Sequence, residues 1–372
     1  MPSRPTSDRH RPQDFVPAAC LRRARTQFSA VADRNQLDLF GAPTPETRPQ
    51  PPAGQASRGK PPLGPVAPTP EQLAQARELP PLVRLGTSSW SFPGWEGVVY
   101  DRAATEHELS KAGLLAYAQH PLLRTVGIDR TFYAPVPARV LAEYAAQVPD
   151  SFRFLVKAHD EVCTLRFGDH PRLGIRRGQD SPHFLDPAYT IDQIVLPFME
   201  GLGEKGGPLL FQFPPQDALK SLGPDRFAAR LHDFLRQLPK GPLYAVELRN
   251  RELLGPQLAA ALRDVNASLC YAAWSQLPPV DQQARRVPLE PMPALVIRWQ
   301  LPRGATYEAQ RAEWAPFRHL QEEDLETRSA IAQLMKTALA KGKATYVIVN
   351  NKAEGCAPES VFKLIEKYLS IR

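Results

Sequence analysis

LVRLGTSSWSFPGWEGVVY, residues 82–100, decides the fold. An alternating apolar run stops abruptly at a loop rich in Ser, Gly and Trp, as a buried strand does where it ends at a functional rim. Val83 and Leu85 share one parity and Gly86, Ser88 and Trp90 the other, so one face is greasy and the other small and polar. Seven further runs of this kind follow: Arg124 to Tyr133, Phe152 to His159, Pro208 to Phe213, Leu243 to Arg249, Ala267 to Trp274, Ala294 to Gln300 and Ala344 to Asn351. Helical stretches are predicted between them at Glu106 to Gln119, Ala138 to Gln147, Ile191 to Gly201, Asp225 to Leu238, Pro256 to Val265, Glu323 to Lys341 and Pro358 to Tyr368. Only Ser275 to Pro293 shows no convincing helix. Strands that alternate with helices make a parallel sheet with helices outside. Eight such units in roughly 290 residues are what an α/β, (β/α)8 TIM-type barrel requires. The alternative, an open doubly wound sheet, is disfavoured because no Gly-rich phosphate loop follows the first strand.

The 81 residues ahead of the first strand have a different texture. They hold 16 of the 40 prolines, with 11 Lys+Arg against 7 Asp+Glu, so more than half of the chain's net charge of +7 sits there. The remainder, 35 basic against 32 acidic side chains, does not mark residues 82–372 as a nucleic-acid binder. Proline runs at 49–52 and 61–70 oppose both helix and sheet, so a disordered Pro/Arg-rich tail is expected over residues 1–81.

Two islands interrupt the tail, a marginal helix over Ala18 to Ala32 and the patch Gln36, Leu37, Asp38, Leu39 and Phe40. The patch resembles the Gln-Leu-Ser/Asp-Leu-Phe pentapeptide through which bacterial replication and repair proteins bind the DNA sliding clamp. Leu39 and Phe40 would fill one apolar pocket and Gln36 and Leu37 anchor the other end. An accidental amphipathic patch is the simpler alternative.

Cys20, Cys163, Cys270 and Cys356 are far apart, with no C-x-x-C pair, which suits a reducing, cytoplasmic compartment rather than a disulfide framework. No run approaches the roughly 18 apolar residues of a membrane span. No metal or cofactor is called for by any ligand spacing.

GTSSWS at 86–91 with Trp95, TFY at 131–133, the strand from Phe152 to Lys157, LFQFPP at 210–215, VELR at 246–249, Arg298, and NN at 350–351 with Gly355 together resemble the YecE-like family of bacterial and archaeal proteins, domain of unknown function 72. The resemblance runs through residues 82–372 and implies a TIM-type barrel. It implies no reaction, since the family's activity is unassigned. Where that family usually has Glu-Ile-Asn-Ser before the TFY, Gly127, Ile128, Asp129 and Arg130 stand here, and where it has Arg-x-His-Gly, Trp299, Gln300 and Leu301 follow Arg298. Two polar rim groups are thus expected to be replaced.

Parity predicts the contents of the barrel. Tyr244, Val246 and Leu248 should face the helices, and Ala245, Glu247 and Arg249 the interior. The same rule sends Lys157, His159, Asp129, Thr131, Gln212, Arg298, Ser88, Trp90 and Asn350 to the C-terminal mouth, where barrel enzymes place their sites. Lys157, Arg249 and Arg298 outnumber the carboxylates Asp129 and Glu247, which favours an anionic ligand: a phosphate-bearing small molecule or a nucleic acid, held by arginine forks and a lysine point charge. Glu247 or His159 is the candidate acid or base. An internal salt-bridge layer, or a metal held by His159, Glu247 and Asp129 as in barrel nucleases or isomerases, is the alternative. A long connection, Asp160 to Pro187, with four arginines and two histidines, suggests a basic lid.

Overall fold

The computed structural model of the chain describes residues 61–371. Eight parallel strands close into a barrel in chain order: β1 (Val83–Thr87), β2 (Thr125–Ile128), β3 (Arg153–Lys157), β4 (Gly206–Phe213), β5 (Leu243–Leu248), β6 (Ser268–Ala273), β7 (Ala294–Trp299) and β8 (Ala344–Val349). Closure is made by β8 against β1, in register from Val83 with Thr345 to Thr87 with Val349, so the open-sheet alternative falls.

The parity rule sorts the side chains into two apolar layers. Phe154, Phe211, Val246, Ile297 and Trp299 join the large core between strands and helices. Leu155, Leu210, Ala245, Cys270, Val296, Tyr346 and Ile348 form a smaller plug inside the barrel. Burying one such large side chain is worth about 2 kcal/mol, so the more populous outer layer contributes most of the hydrophobic stabilisation.

Closing β1 onto β2 needs glycine. A Cβ on Gly86 would lie 1.7 Å from the carbonyl oxygen of Thr125, and one on Gly127 would lie 2.8 Å from that of Ser88. Gly127 thus leaves no side chain where two backbones meet.

The expected helices form within a few residues of their predicted ends, over 106–118, Ala138–Ala145, 187–202, Pro224–Gln237, Pro256–Asp264, Leu325–Ala340 and Ala357–Ser370. None is long and apolar enough to cross a membrane.

Two expectations need correction. Val280–Arg286, inside the stretch that lacks a helical pattern, is a helix. Its buried Gln283 bonds both backbone groups of Ala272 on β6, Nε2 to O at 2.8 Å and N to Oε1 at 3.2 Å, so a tertiary contact replaces the missing apolar stripe.

The expectation of disorder over residues 1–81 fails for 61–81, the part of it that is described. Pro70–Glu78 is a helix, because Thr69 and Gln72 form a reciprocal capping box and Pro70 occupies a first-turn position where its missing N–H costs nothing. Residues 1–60, with the clamp-like patch at 36–40, lie outside the described residues.

Candidate functional site

The C-terminal ends of β3, β5 and β7 bring together the cations that parity assigns to the interior. Lys157, Arg249 and Arg298 are all buried, and Glu247, between the two arginines, has no solvent exposure. Arg249 Nε lies 2.5 Å from Glu247 Oε1, and Arg298 Nη1 2.7 Å from Oε2. Arg298 Nη1 also donates to Gln212 Oε1 at 2.6 Å. Lys157 Nζ pairs with Asp129 Oδ1 at 3.1 Å. Burial alone would raise the Glu247 pKa, but the two guanidinium charges outweigh it and hold the carboxyl at about 2. At Lys157 burial prevails and lowers the pKa to about 8, with Asp129 opposing the shift and Arg298 adding to it. The charge of Arg298 is thus felt at Lys157, and the five groups form one coupled cluster.

Two members of the cluster carry no sequence signal of their own. Gln300 accepts from Arg249 Nη2 at 2.9 Å and donates to Glu247 Oε1 at 3.3 Å. It stands two residues beyond Arg298, and continuing the parity of β7 by one step would have found it. Trp274 lies under Arg249, with the guanidinium carbon 3.9 Å from the ring centroid, a cation–π contact that fixes the plane of the fork.

Other expected members sit apart. Trp90 packs edge-on against Tyr144 of the helix Ala138–Ala145, with ring centroids 5.2 Å apart, and its carbonyl accepts from the Tyr100 hydroxyl, so it belongs to the outer core and Trp274 is the indole of the cluster. Trp95 is fully buried and donates to Asn351 Oδ1 at 3.2 Å. Asn350 caps the turn Asn351–Ala353 through Lys352 N and donates to Ser88 Oγ at 3.4 Å. Thr131 turns back to the Ile128 carbonyl.

His159 is held by the root of the long connection, Nδ1 within 2.8 Å of the Tyr189 hydroxyl and Nε2 within 3.4 Å of Asp160 Oδ1. Burial lowers its pKa, with the nearby Glu161 carboxylate opposing the shift. The metal set imagined from His159, Glu247 and Asp129 does not assemble: each is engaged by a different partner, and no group of three such ligands able to hold a metal occurs among the described residues.

The basic lid also changes character. Arg166 pairs with Asp180, Arg176 with Asp160, and Arg177 with Asp169, so these three arginines add no surplus charge. The segment is moored at its start by Gln216, whose Oε1 accepts from Leu165 N at 2.7 Å and whose Nε2 donates to Cys163 O at 2.9 Å. Asn250, after β5, in turn bonds both backbone groups of Gln216.

What the arrangement offers chemically is a set of buried donors. Arg298 spends Nη1 twice, while its Nε is buried without an acceptor. Among the described residues Arg249 donates through Nε and Nη2 only.

A family model described as "Protein of unknown function DUF72" matches residues 84–370. Over 147 residues the chain is 29% identical to UPF0759 protein YunF of Bacillus subtilis (strain 168), a match covering 40% of this chain and 46% of that protein. The chain thus spans about half the length of that curated relative. Among solved structures, a DUF72 family protein of Enterococcus faecalis V583 superposes with a TM-score of 0.53 at 22% identity, covering 78% of this chain and 96% of that one. A DUF72 family protein of Thermotoga maritima MSB8 gives 0.51 at 20% identity, covering 76% and 98%. At these identities the likeness is one of fold.

Proposed function

The chain belongs to the DUF72 family, a family of unknown function, and from that premise we propose that the C-terminal mouth of its barrel binds a phosphate-bearing anion through Lys157, Arg249 and Arg298. The observation that carries the reading is the charge imbalance of a buried cluster: three cations face two carboxylates, Asp129 and Glu247, leaving one positive charge. A surplus charge out of water costs several kcal/mol unless something compensates it. The unaccepted Nε of Arg298 is the kind of donor that a phosphate oxygen satisfies. Binding is better supported than acid–base chemistry, because Glu247 has both oxygens engaged and His159 both ring nitrogens within reach of a partner.

The test is thermal unfolding of wild type and Arg298→Gln in phosphate, sugar phosphates and short oligonucleotides, against chloride at matched ionic strength. A ligand at 100 times its Kd adds about 2.7 kcal/mol. The wild type is expected to gain more than the variant. Equal gains would leave the cluster as an internal salt-bridge layer.

A second reading, recruitment to the DNA sliding clamp, rests on the sequence of residues 36–40, where all five positions fit the pentapeptide. These residues precede the family match, which begins at 84, so recruitment would be a property of this chain's own extension. A peptide spanning Asp33 to Pro43 should bind purified clamp with affinity lost on Leu39→Ala, Phe40→Ala. Absence of binding would remove this reading and leave the mouth untouched.

A further inference from the structure

The opposite, N-terminal end of the barrel carries cations of its own. Arg84 on β1 pairs in register with Tyr346 on β8, and its guanidinium carbon lies 5.5 Å from the Tyr346 ring centroid. The Arg84 side chain makes no hydrogen bond to any described residue, and its Nε is buried without an acceptor. Among the described residues Arg153, at the start of β3, uses only Nη1, on the backbone carbonyls of Asp150 and Phe152. Its register neighbour Thr125 is fully buried with Oγ1 unpartnered. Burial and then the charge of Arg153 both lower the Arg84 pKa, although Tyr346 opposes them. The pKa of a third arginine, Arg124, is lowered first by burial and then by the charge of Arg84. Its donors are taken by the carbonyls of Ala76, Leu79, Pro80 and Pro121. Among the described residues no carboxylate forms an ion pair with any of the three. Asp150, the acid next to Arg153 in sequence, projects into solvent and pairs with Lys205 at 3.3 Å.

A Cβ on Gly207 would lie 3.2 Å from a Tyr346 ring carbon and 3.3 Å from Arg153 Cβ, so Arg84 and Arg153 border the same tyrosine, and two arginines so placed without a carboxylate are stable when an anion sits between them. We propose that the N-terminal end of the barrel is a second anion site, taking a phosphate group between Arg84 and Arg153. The Tyr346 ring backs the Arg84 guanidinium and sets the plane of its fork. A planar fork with free N–H groups suits two oxygens of one phosphate, which a lysine could not match. This site does not depend on the mouth, since it shares no residue with it.

The experiment uses the full chain and inorganic phosphate as probe. In the first arm, wild-type protein is treated with phenylglyoxal, with and without phosphate at constant ionic strength, and modification is mapped by mass spectrometry. Phosphate should protect Arg84 and Arg153 and leave the exposed Arg139 as reactive as before. In the second arm, phosphate affinity is compared between Arg298→Gln and the triple variant Arg298→Gln, Arg84→Gln, Arg153→Gln. With the mouth disabled in both, affinity should fall about tenfold or more, equivalent to about 1.4 kcal/mol. Unchanged labelling of Arg84 and Arg153 in phosphate would overturn the proposal whether or not the triple variant folds. Equal affinity of two folded variants would do the same. Failure of the mouth reading shows separately, as a phosphate response that Arg298→Gln does not diminish.

Discussion

Glu247 Oε2 lies 2.7 Å from Arg298 Nη1, with the carboxylate unexposed and the guanidinium almost so. The remaining carboxylate oxygen is taken by Arg249, so one anion fixes the orientation of two cations from different strands. That makes Glu247 the organiser of the mouth.

Removing the organiser should cost more than removing an exposed charge. Glu247→Ala leaves two buried arginines facing each other, and losses of about 3–5 kcal/mol are typical when one partner of a buried pair is deleted. The pH dependence has a definite sign. The folded pKa is depressed to about 2 from 4.5, so the stability Glu247 contributes is complete above about pH 4.5 and is lost as pH falls towards 2. Urea titrations of wild type and Glu247→Gln should converge on acidification across that window. Curves that stay parallel would show that the ion pairs do not depress this carboxyl.

The Lys157 pKa is depressed as well, but here the shift penalises the charged form instead of favouring it. Its folded pKa near 8 lies below the ordinary 10.5, so between these values the unfolded chain binds more protons and stability rises with pH. Below pH 8 the lysine is charged in both states and its burial cost is constant. Carbon-13 NMR of reductively methylated protein should show one lysine titrating near pH 8, absent in Lys157→Met. Phosphate bound at the mouth should move that titration upward, because an anion favours the charged amine.

Much of the cluster was legible because barrel geometry converts sequence parity into position. Counting residues along strands sends Lys157, Gln212, Glu247, Arg249 and Arg298 to the interior, and the hydrogen bonds among the last four follow from that placement. The rule weakens beyond strand ends. Trp90 lies three residues past the last paired residue of β1, where the loop turns and alternation no longer controls direction, so the indole goes to Tyr144. Trp274, one residue beyond β6, carries in the sequence only the signal of a strand end. The lid's arginines look basic in the sequence because their carboxylate partners are 8, 14 and 16 residues away, separations that no local charge pattern reveals.

Gly86 tests how tightly β1 and β2 are closed. A Cβ there meets backbone, the Thr125 carbonyl, and also comes within 2.9 Å of the Tyr117 hydroxyl that bonds Thr87. Gly86→Ala is expected to destabilise by about 4 kcal/mol or more, the range of severe core disruption. Gly168, with nothing within 4 Å and no positive φ, is the control: Gly168→Ala should leave the unfolding midpoint within error. Comparable midpoints for the two variants would mean that β1 and β2 separate at little cost.

The last expectation concerns where the folded body begins. The segment from 61 to 81 is held at several points: Val66 N donates to Val99 O at 2.9 Å, Gly64 N to Asp101 Oδ1 at 3.0 Å, and Arg102 Nε to Pro61 O at 3.0 Å. At the far end of the helix Pro70–Glu78, Arg124 donates to the carbonyls of Ala76, Leu79 and Pro80, satisfying acceptors that a helix C-terminus leaves open and complementing its dipole. A chain starting at residue 82 strips Arg124 of those three acceptors and uncovers the surface under the buried Leu79. It should therefore unfold at a lower urea concentration than a chain starting at 61. Thr69→Ala in the longer chain isolates the cap and should cost about 1 kcal/mol. If the chain from 82 matched the chain from 61, the helix would be an ornament on a barrel complete without it, and Arg124 would have to find its acceptors in water.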